Sequence, residues 1–558
     1  MRKSRLQPIF LILLISLLTV LTDPIHAQLP AFPGASGFGA FAAGGRGGDV
    51  YHVTSLEDDG PGSFRFGIET ADSPRTIVFD MSGNIGLTSY LYIRSSSMTI
   101  AGQTAPDPGI CIQNYGITVL ADNVILRHLR LRPGDMYLAP RSEGGFTEDA
   151  LTLSGDTIIA DHISASWGVD ENLSCGTSFR NITIQYCIIA EGLHRTLYYH
   201  GEYAPDCEGH SMGSLIKCRG IDAEASLHHN LWAHNNNRNP AIGSYEGMEY
   251  VQIDVRNNVM YNCGTFGYSS GASKQVDLNY VGNYIIAGRS TSPKNRRRAF
   301  DANAPNNLHI YQADNLIDPD LDTLRDGINT GWGMFDDTWT SHQQPFPMPT
   351  IETQSADRSY NSVLATAGAY PWCRDSVDAR IIRDLRHGTG KIIDSQEEVG
   401  GFPALAVVTR PDDWDTDQDG MPDAWEQAHG FDKSDPGDRN EDSNQNGYTN
   451  LEEYLNSIAL PSNVQDSLSP DSFGLKLHVY PNPFHPATHI SYSLSGRAHV
   501  KLMLYNCLGQ RIRVLTDGLQ PAGHHSTKAE LSSLPNGVYF ILLSAGNRSM
   551  TKKIALLW

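Results

Sequence analysis

The sequence predicts an all-β protein: a right-handed parallel β-helix (a solenoid of stacked coils), then a small module of paired Asp-rich loops, then a C-terminal β-sandwich. Three observations predict it. Short strand-like runs recur from Met98 to Tyr311, broken by Gly, Asn and Asp. Two copies of an Asp/Asn-rich loop containing Gly follow between Asp415 and Glu453. After them, apolar and polar residues alternate as in antiparallel strands.

Length and charge set the frame. With 558 residues the chain exceeds one ordinary domain, and 40% hydrophobic content is globular. A formal net charge of −20 argues against nucleic acid and anionic lipid as partners. It would also repel a polyanionic sugar unless cations intervened. At the start, Arg2, Lys3 and Arg5 precede an apolar stretch from Ile9 to Leu21, and Ile25-His26-Ala27 offers a small-residue cleavage site. Residues 1–27 therefore read as a signal peptide of an exported protein. The apolar run is short for a membrane span and no second one follows, so no transmembrane anchor is expected. The eight Cys show no CxxC spacing, and Cys207 with Cys218 makes the closest plausible bridge.

The β-helix is expected over residues 28–405. Strand candidates are Met98–Ile100, Ile117–Leu120, Val124–Leu126, Ala150–Leu153, Thr157–Ile159 and Ile182–Ile184, continuing with Ser226–His228, Val251–Val255, Val276–Leu278 and Leu308–Tyr311. Asn230, Asn258, Asn283 and Asn315 each precede an apolar pair or triplet. Coils of short strands can stack to bury one continuous interior, and stacked Asn side chains can fix each bend. A sandwich or propeller is the competing architecture, but single-strand units with Asn turns suit stacking better than hairpins.

Polar residues concentrate beside these strands. Asp149-Ala-Leu leads to Asp161-His162; Val169-Asp170-Glu171 follows; His228-His229-Asn230 leads to Arg238-Asn-Pro240. Upstream stand Gly45-Arg-Gly-Gly48, Pro61-Gly62, Thr76–Asp80 and Ile100–Thr104; downstream stand Asp375-Ser-Val-Asp378 and Gly388-Thr-Gly390. In this order the motifs resemble polysaccharide lyase family 1, the pectate lyases, over roughly residues 30 to 405. The resemblance implies a calcium-dependent enzyme acting on pectate (polygalacturonate). It implies Arg238 as the catalytic base, Asp149 and Asp170 as calcium ligands, and Glu171 as a neighbouring candidate.

The chemistry makes sense of those residue types. Eliminative cleavage removes the C5 proton beside a carboxylate and breaks the bond to O4. A hard divalent cation offsets the carboxylate charge and takes oxygen ligands. Shared cations also let an acidic protein hold a polyanion. Plainer readings stand beside these: Arg238 as a carboxylate clamp or surface ion pair, Asp149 as a turn cap, and Asp161-His162 as a structural pair within a coil. Where the family carries further cations, this chain has Ala241, Gly243 and Glu208. Lys217, Arg219 and His210 are the candidate substrate-binding residues in their place. Two rival functions are a β-helix polygalacturonase-type hydrolase, which needs paired carboxylates, and a noncatalytic pectin-binding surface protein.

Residues 412–457 carry the paired loops. Asp415, Asp417, Asp419, Asp423 and Glu426 fall at positions 1, 3, 5, 9 and 12 of a calcium loop, with Gly420 at position 6. Asp442, Asn444, Asn446, Asn450 and Glu453 repeat the pattern around Gly447. The pair resembles dockerin-like or thrombospondin type 3 modules and is expected to act as a calcium-folded spacer. A linker is expected over 458–473. Residues 474–558 open on Val479-Tyr-Pro-Asn-Pro-Phe484 and close on Lys552-Lys-Ile-Ala-Leu-Leu557. That segment resembles the C-terminal sorting domain of the type IX secretion system. It implies the secretion machinery as a partner and a secreted, extracellular or outer-surface location. A monomer is expected.

Overall fold

The computed structural model describes residues 28–135, 149–196, 209–458 and 476–556, apart from short stretches within these spans. The signal peptide, nearly all of the linker, Cys207 and Glu208 lie outside the described residues. Cys218 is a buried, unbridged thiol.

From Asp49 to Ser341 the chain winds as a parallel β-helix whose strands form three ladders. The groove ladder runs through Leu91–Ile93, Ile117–Leu120, Leu215–Cys218, Ala241–Ser244, Gly267–Ser270, Phe300–Ala302 and Phe335–Asp337. A second ladder runs through Asp49–Val53, Arg75–Phe79, Met98–Ala101, Ala223–His228, Tyr250–Arg256, Gln275–Val281, Leu308–Ala313 and Thr340–Ser341. The third includes Gly83–Gly86, Ile110–Gln113, Ile188–Ala190, Leu231–Ala233, Val259–Tyr261, Tyr284–Ile286 and Leu316–Asp318. The long strands Val124–Arg132, Leu151–Ser166 and Leu173–Gln185 turn corners and serve more than one ladder. Every strand candidate named from sequence falls on one of these strands.

Parallel, in-register pairing places like residues over like. One interior column runs Ile77, Ile100, Leu126, Ala160, Ile184, Leu227, Val255 and Tyr280. All are buried, which is the apolar driving force for stacking. The helix Phe64–Glu69, capped by the Ser63 hydroxyl, closes the first end with Phe64 against Phe79.

Corners are set by residues in the left-handed region. His128, His162, Tyr186, His229 and Asn257 have φ between 54° and 57°. The rings of the first four stack at 4.8, 5.0 and 4.7 Å. Beside this column, Asn230, Asn258, Asn283 and Asn315 form a ladder. Each Oδ1 of the last three accepts the N–H of the preceding Asn, at 2.9–3.0 Å. Each Nδ2 donates to a carbonyl one coil away, as Asn258 does to Leu227 at 2.8 Å. Asn258→Ala leaves a buried N–H and a buried carbonyl unpaired. It is expected to cost about 3 kcal/mol, read as a lower urea midpoint; an unchanged midpoint would remove the ladder from the account of stability.

The helices Ala356–Thr366 and Ser376–His387 cover the third ladder with an apolar face including Val363, Val377, Ile381 and Leu385. Asp375 caps the second helix through the N–H groups of Val377 and Asp378. Arg132, fully buried, bonds Asp375 at 2.5 and 3.2 Å and Asp378 at 2.8 Å. The motif Asp375-Ser-Val-Asp378 is thus structural. So is Asp161, which is buried and held by Arg127 at 3.0 Å and Gln185 at 2.7 Å.

The paired-loop module, expected as a calcium-folded spacer, packs on the β-helix. It belongs to the same compact unit as the β-helix. Met421, Leu451, Tyr454 and Leu455 pack on Ala101 and Val50, and Arg46 grips Glu452 at 2.9 and 3.0 Å. These apolar positions between the loop ligands are the face that docks. The second unit, Leu460–Trp558, has a three-stranded and a four-stranded antiparallel sheet around a core of Ile490, Tyr492, Val500, Leu502, Ile541 and Ile554. That is the predicted sandwich.

Candidate active site

The groove ladder brings distant residues together at the leading ends of its strands. Asp149 precedes Leu151, Asp170-Glu171 precede Leu173, and Arg238 precedes Ala241. Isolated parallel bridges Glu171–Met212 and Met212–Asn237 continue the register into these loops. A buried amide chain fixes them. Asn172 Nδ2 donates to Asn235 Oδ1 at 3.0 Å, Asn235 Nδ2 to Asn239 Oδ1 at 3.0 Å, and Asn239 Nδ2 to the Thr265 carbonyl at 2.9 Å.

Asp149, Asp170 and Glu171 each direct an oxygen into one cluster, all within 4.8 Å of one another. Asp149 accepts from the Glu171 N–H at 3.1 Å and from the Thr152 hydroxyl at 2.7 Å. Burial, then the neighbouring Asp170 charge, pushes the Asp149 carboxyl up to about 7. Asp170 Oδ1 is buried and accepts no hydrogen bond. Three hard carboxylate donors converging on one point, with only the Arg238 guanidinium and His210 to offset them, fit a calcium ion.

Arg238 faces this cluster. Its Nη1 lies 3.7 Å from Asp170 Oδ1 and contacts Glu171 Oε1. The side chain keeps 25% exposure, so it is reachable from the groove. The residue sits at φ 57°, in the left-handed region that L-residues adopt only when their surroundings hold them there. Asn237 does so, its Oδ1 accepting the Arg238 N–H at 2.8 Å and the Thr265 hydroxyl at 2.7 Å.

Among the candidate substrate-binding residues, His210 Nδ1 is 3.2 Å from Asp170 Oδ1. Lys217 lies on a groove-ladder strand, in register with Gly243, and its Nζ sits 4.0 Å from the Tyr245 ring centre. Arg219, beyond the strand end, stacks on Tyr245 and approaches Glu246 at 3.9 Å, away from the acidic cluster. Sequence reasoning missed Tyr268, whose hydroxyl lies near the Arg238 guanidinium, and Arg298, bonded to Asp301 at 2.8 Å. Both line a cleft with Asn237, Thr265 and Asn295. The run Arg296-Arg297-Arg298 was the available signal for the second.

In the module, Asp415, Asp417 and Asp419 form one oxygen cluster, and Asp419, Glu426 and Asp438 another. Asp423 departs from its expected ligand place. Its carboxylate accepts the Thr416 N–H and hydroxyl at 2.8 Å each and pairs with Lys433 at 2.8 Å. Asn450 likewise caps its own loop through the Ser443 N–H and donates to the Asp438 carbonyl. In the second loop, Asp442 accepts the N–H groups of Asn446 and Gly447, while Asn444 and Asn446 both donate to Glu453 Oε1.

A family model described as a secretion system C-terminal sorting domain matches residues 478–556. A probable pectate lyase C of Emericella nidulans is 36% identical over 440 residues, covering 77% of this chain and 93% of that protein. A probable pectate lyase C of Aspergillus fumigatus is 37% identical over 441 residues, covering 77% and 94%. Among solved structures, one titled "Pectate lyase bound to hexasaccharide" matches at a TM-score of 0.40 and 15% identity, covering 63% of this chain and 100% of that one.

Proposed function

The chain belongs to the pectate lyase family, and from that premise we propose that this secreted enzyme cleaves polygalacturonate by calcium-assisted β-elimination, with Arg238 as the base. The observation that carries the reading is the meeting of Arg238 with the Asp149–Asp170–Glu171 cluster at one end of the groove. Bound there, calcium would offset the charge of the substrate carboxylate and so acidify the neighbouring C5 proton. Arg238, having first given up one guanidinium proton to solvent, takes the C5 proton; the electron pair forms the C4–C5 double bond as the C4–O4 bond breaks, and the departing O4 takes a proton from water. Asp170 and Glu171 hold the guanidinium in one orientation, which supplies alignment. Lys217, His210 and Arg298 are proposed to meet substrate carboxylates along the cleft. The C-terminal sandwich engages the secretion machinery, in keeping with its sorting-domain match.

The full-length protein, given polygalacturonate and calcium, should release a product absorbing in the near ultraviolet. Excess chelator should abolish this. Asp149→Ala should raise the calcium concentration for half activity by about tenfold or more, with partial rescue at high calcium. Saturated product ends, as a hydrolase would give, or undiminished cleavage in chelator would overturn the reading.

A further inference from the structure

We propose that the first acidic loop binds one calcium ion jointly with Asp438, a residue outside the loop pattern, and that this ion clamps the module onto the opening coils of the β-helix. The site lies apart from the groove cluster and does not take part in the proposed elimination.

The argument begins with burial. Asp419 and Glu426 are fully buried and Asp438 is 8% exposed, yet their oxygens converge within 4.8 Å. Asp419 Oδ2, both oxygens of Glu426, both of Asp417 and Asp438 Oδ1 have no hydrogen-bond partner. Carboxylates are not left so unless a cation supplies the missing partner. Several flexible carboxylates around one point suit calcium, whereas magnesium demands a stricter octahedron and retains water.

Asp438 joins the two loops. It lies in the short turn Asp438–Asn440, and its carbonyl accepts from Asn450 of the second loop at 2.8 Å. The first loop in turn touches the β-helix. His52, on the strand Asp49–Val53, lies 3.2 Å from the Gln418 carbonyl and 3.7 Å from Asp415 Oδ2. Met421, next after the loop glycine, packs with Ala101 and Val50. Ordering the loop around an ion therefore orders the surface that holds the first coils.

Hydrogen exchange on the full-length protein, stripped with chelator and then titrated with calcium alone, tests the clamp. At a calcium level about 100 times the dissociation constant, exchange should slow about 100-fold in residues 415–426 and 438–440 and also in Asp49–Val53. Protection confined to the loops, leaving Asp49–Val53 unchanged, overturns the clamp. Calorimetric calcium titration tests the ligand, with the groove cluster intact in every variant so that its contribution cancels. Asp438→Asn should weaken the module's site about tenfold or more, while Asp435→Asn, which removes a nearby exposed charge, should change it about twofold at most. Equal weakening in both variants, or none in Asp438→Asn, overturns the assignment. The exchange measurement uses the unmutated chain and so stands even if Asp438→Asn folds poorly.

Discussion

Arg238→Lys is expected to lower turnover on polygalacturonate by about 10²–10⁴-fold while leaving the fold and calcium binding nearly intact. The guanidinium reaches Asp170 and Glu171 together, and a single ammonium cannot reproduce its planar fork. A quarter of the side chain faces solvent, so the substitution leaves no cavity in the core. The loss should fall on kcat, since the group acts on the C5 proton. Steady-state kinetics with circular dichroism would check both halves. Near-native turnover from a folded variant would remove Arg238 from the role of base.

Arg132→Met should have the largest effect on stability, about 3–5 kcal/mol at neutral pH, because it removes the hydrogen-bonded cation from buried Asp375 and Asp378 and leaves only Arg130, 3.5 and 3.9 Å away, to offset two charges. Burial by itself would raise the Asp375 carboxyl, but Arg132 outweighs it and holds the group well below the usual carboxylate range. A depressed folded value contributes stability above the unfolded value, near pH 4, and loses it as pH falls further. The parent should therefore soften below about pH 4, and the variant should start lower with a shallower acid decline. Urea unfolding at neutral and acid pH would measure both. Parallel pH profiles in the two proteins would show that this pair does not govern acid stability.

Much of the fold was legible because the β-helix repeats. Asn258 and Asn283 could be read as a column from their apolar successors alone, and the structure pairs them at 3.0 and 3.1 Å. The site was legible only by resemblance. Asp149 and Arg238 are far apart in sequence, and only the ladder register brings them into one groove. The module shows the limit of pattern matching. Asp423 and Asn450 fit loop position 9, yet the backbone N–H groups of Thr416 and Ser443 claim their oxygens. Asp438 fits no position, and burial brings it to the cluster. Tyr268 carries no motif, and Arg298 only a basic run, because their place follows from coil order.

A stack in which each coil offers the next a matching row of N–H and C=O groups is also a template for growth. Nothing in the in-register pairing itself dictates where the stack ends, so the terminal coil could recruit a strand from another molecule and polymerise. The sequence after the last strand opposes this. Asp336 and Asp337 put charge on that coil, and Pro345, Pro347 and Pro349, which have no N–H to offer, follow Thr340–Ser341 closely. The stack thus ends on charge and is followed by residues with no N–H to donate, which weakens the template it offers to another molecule.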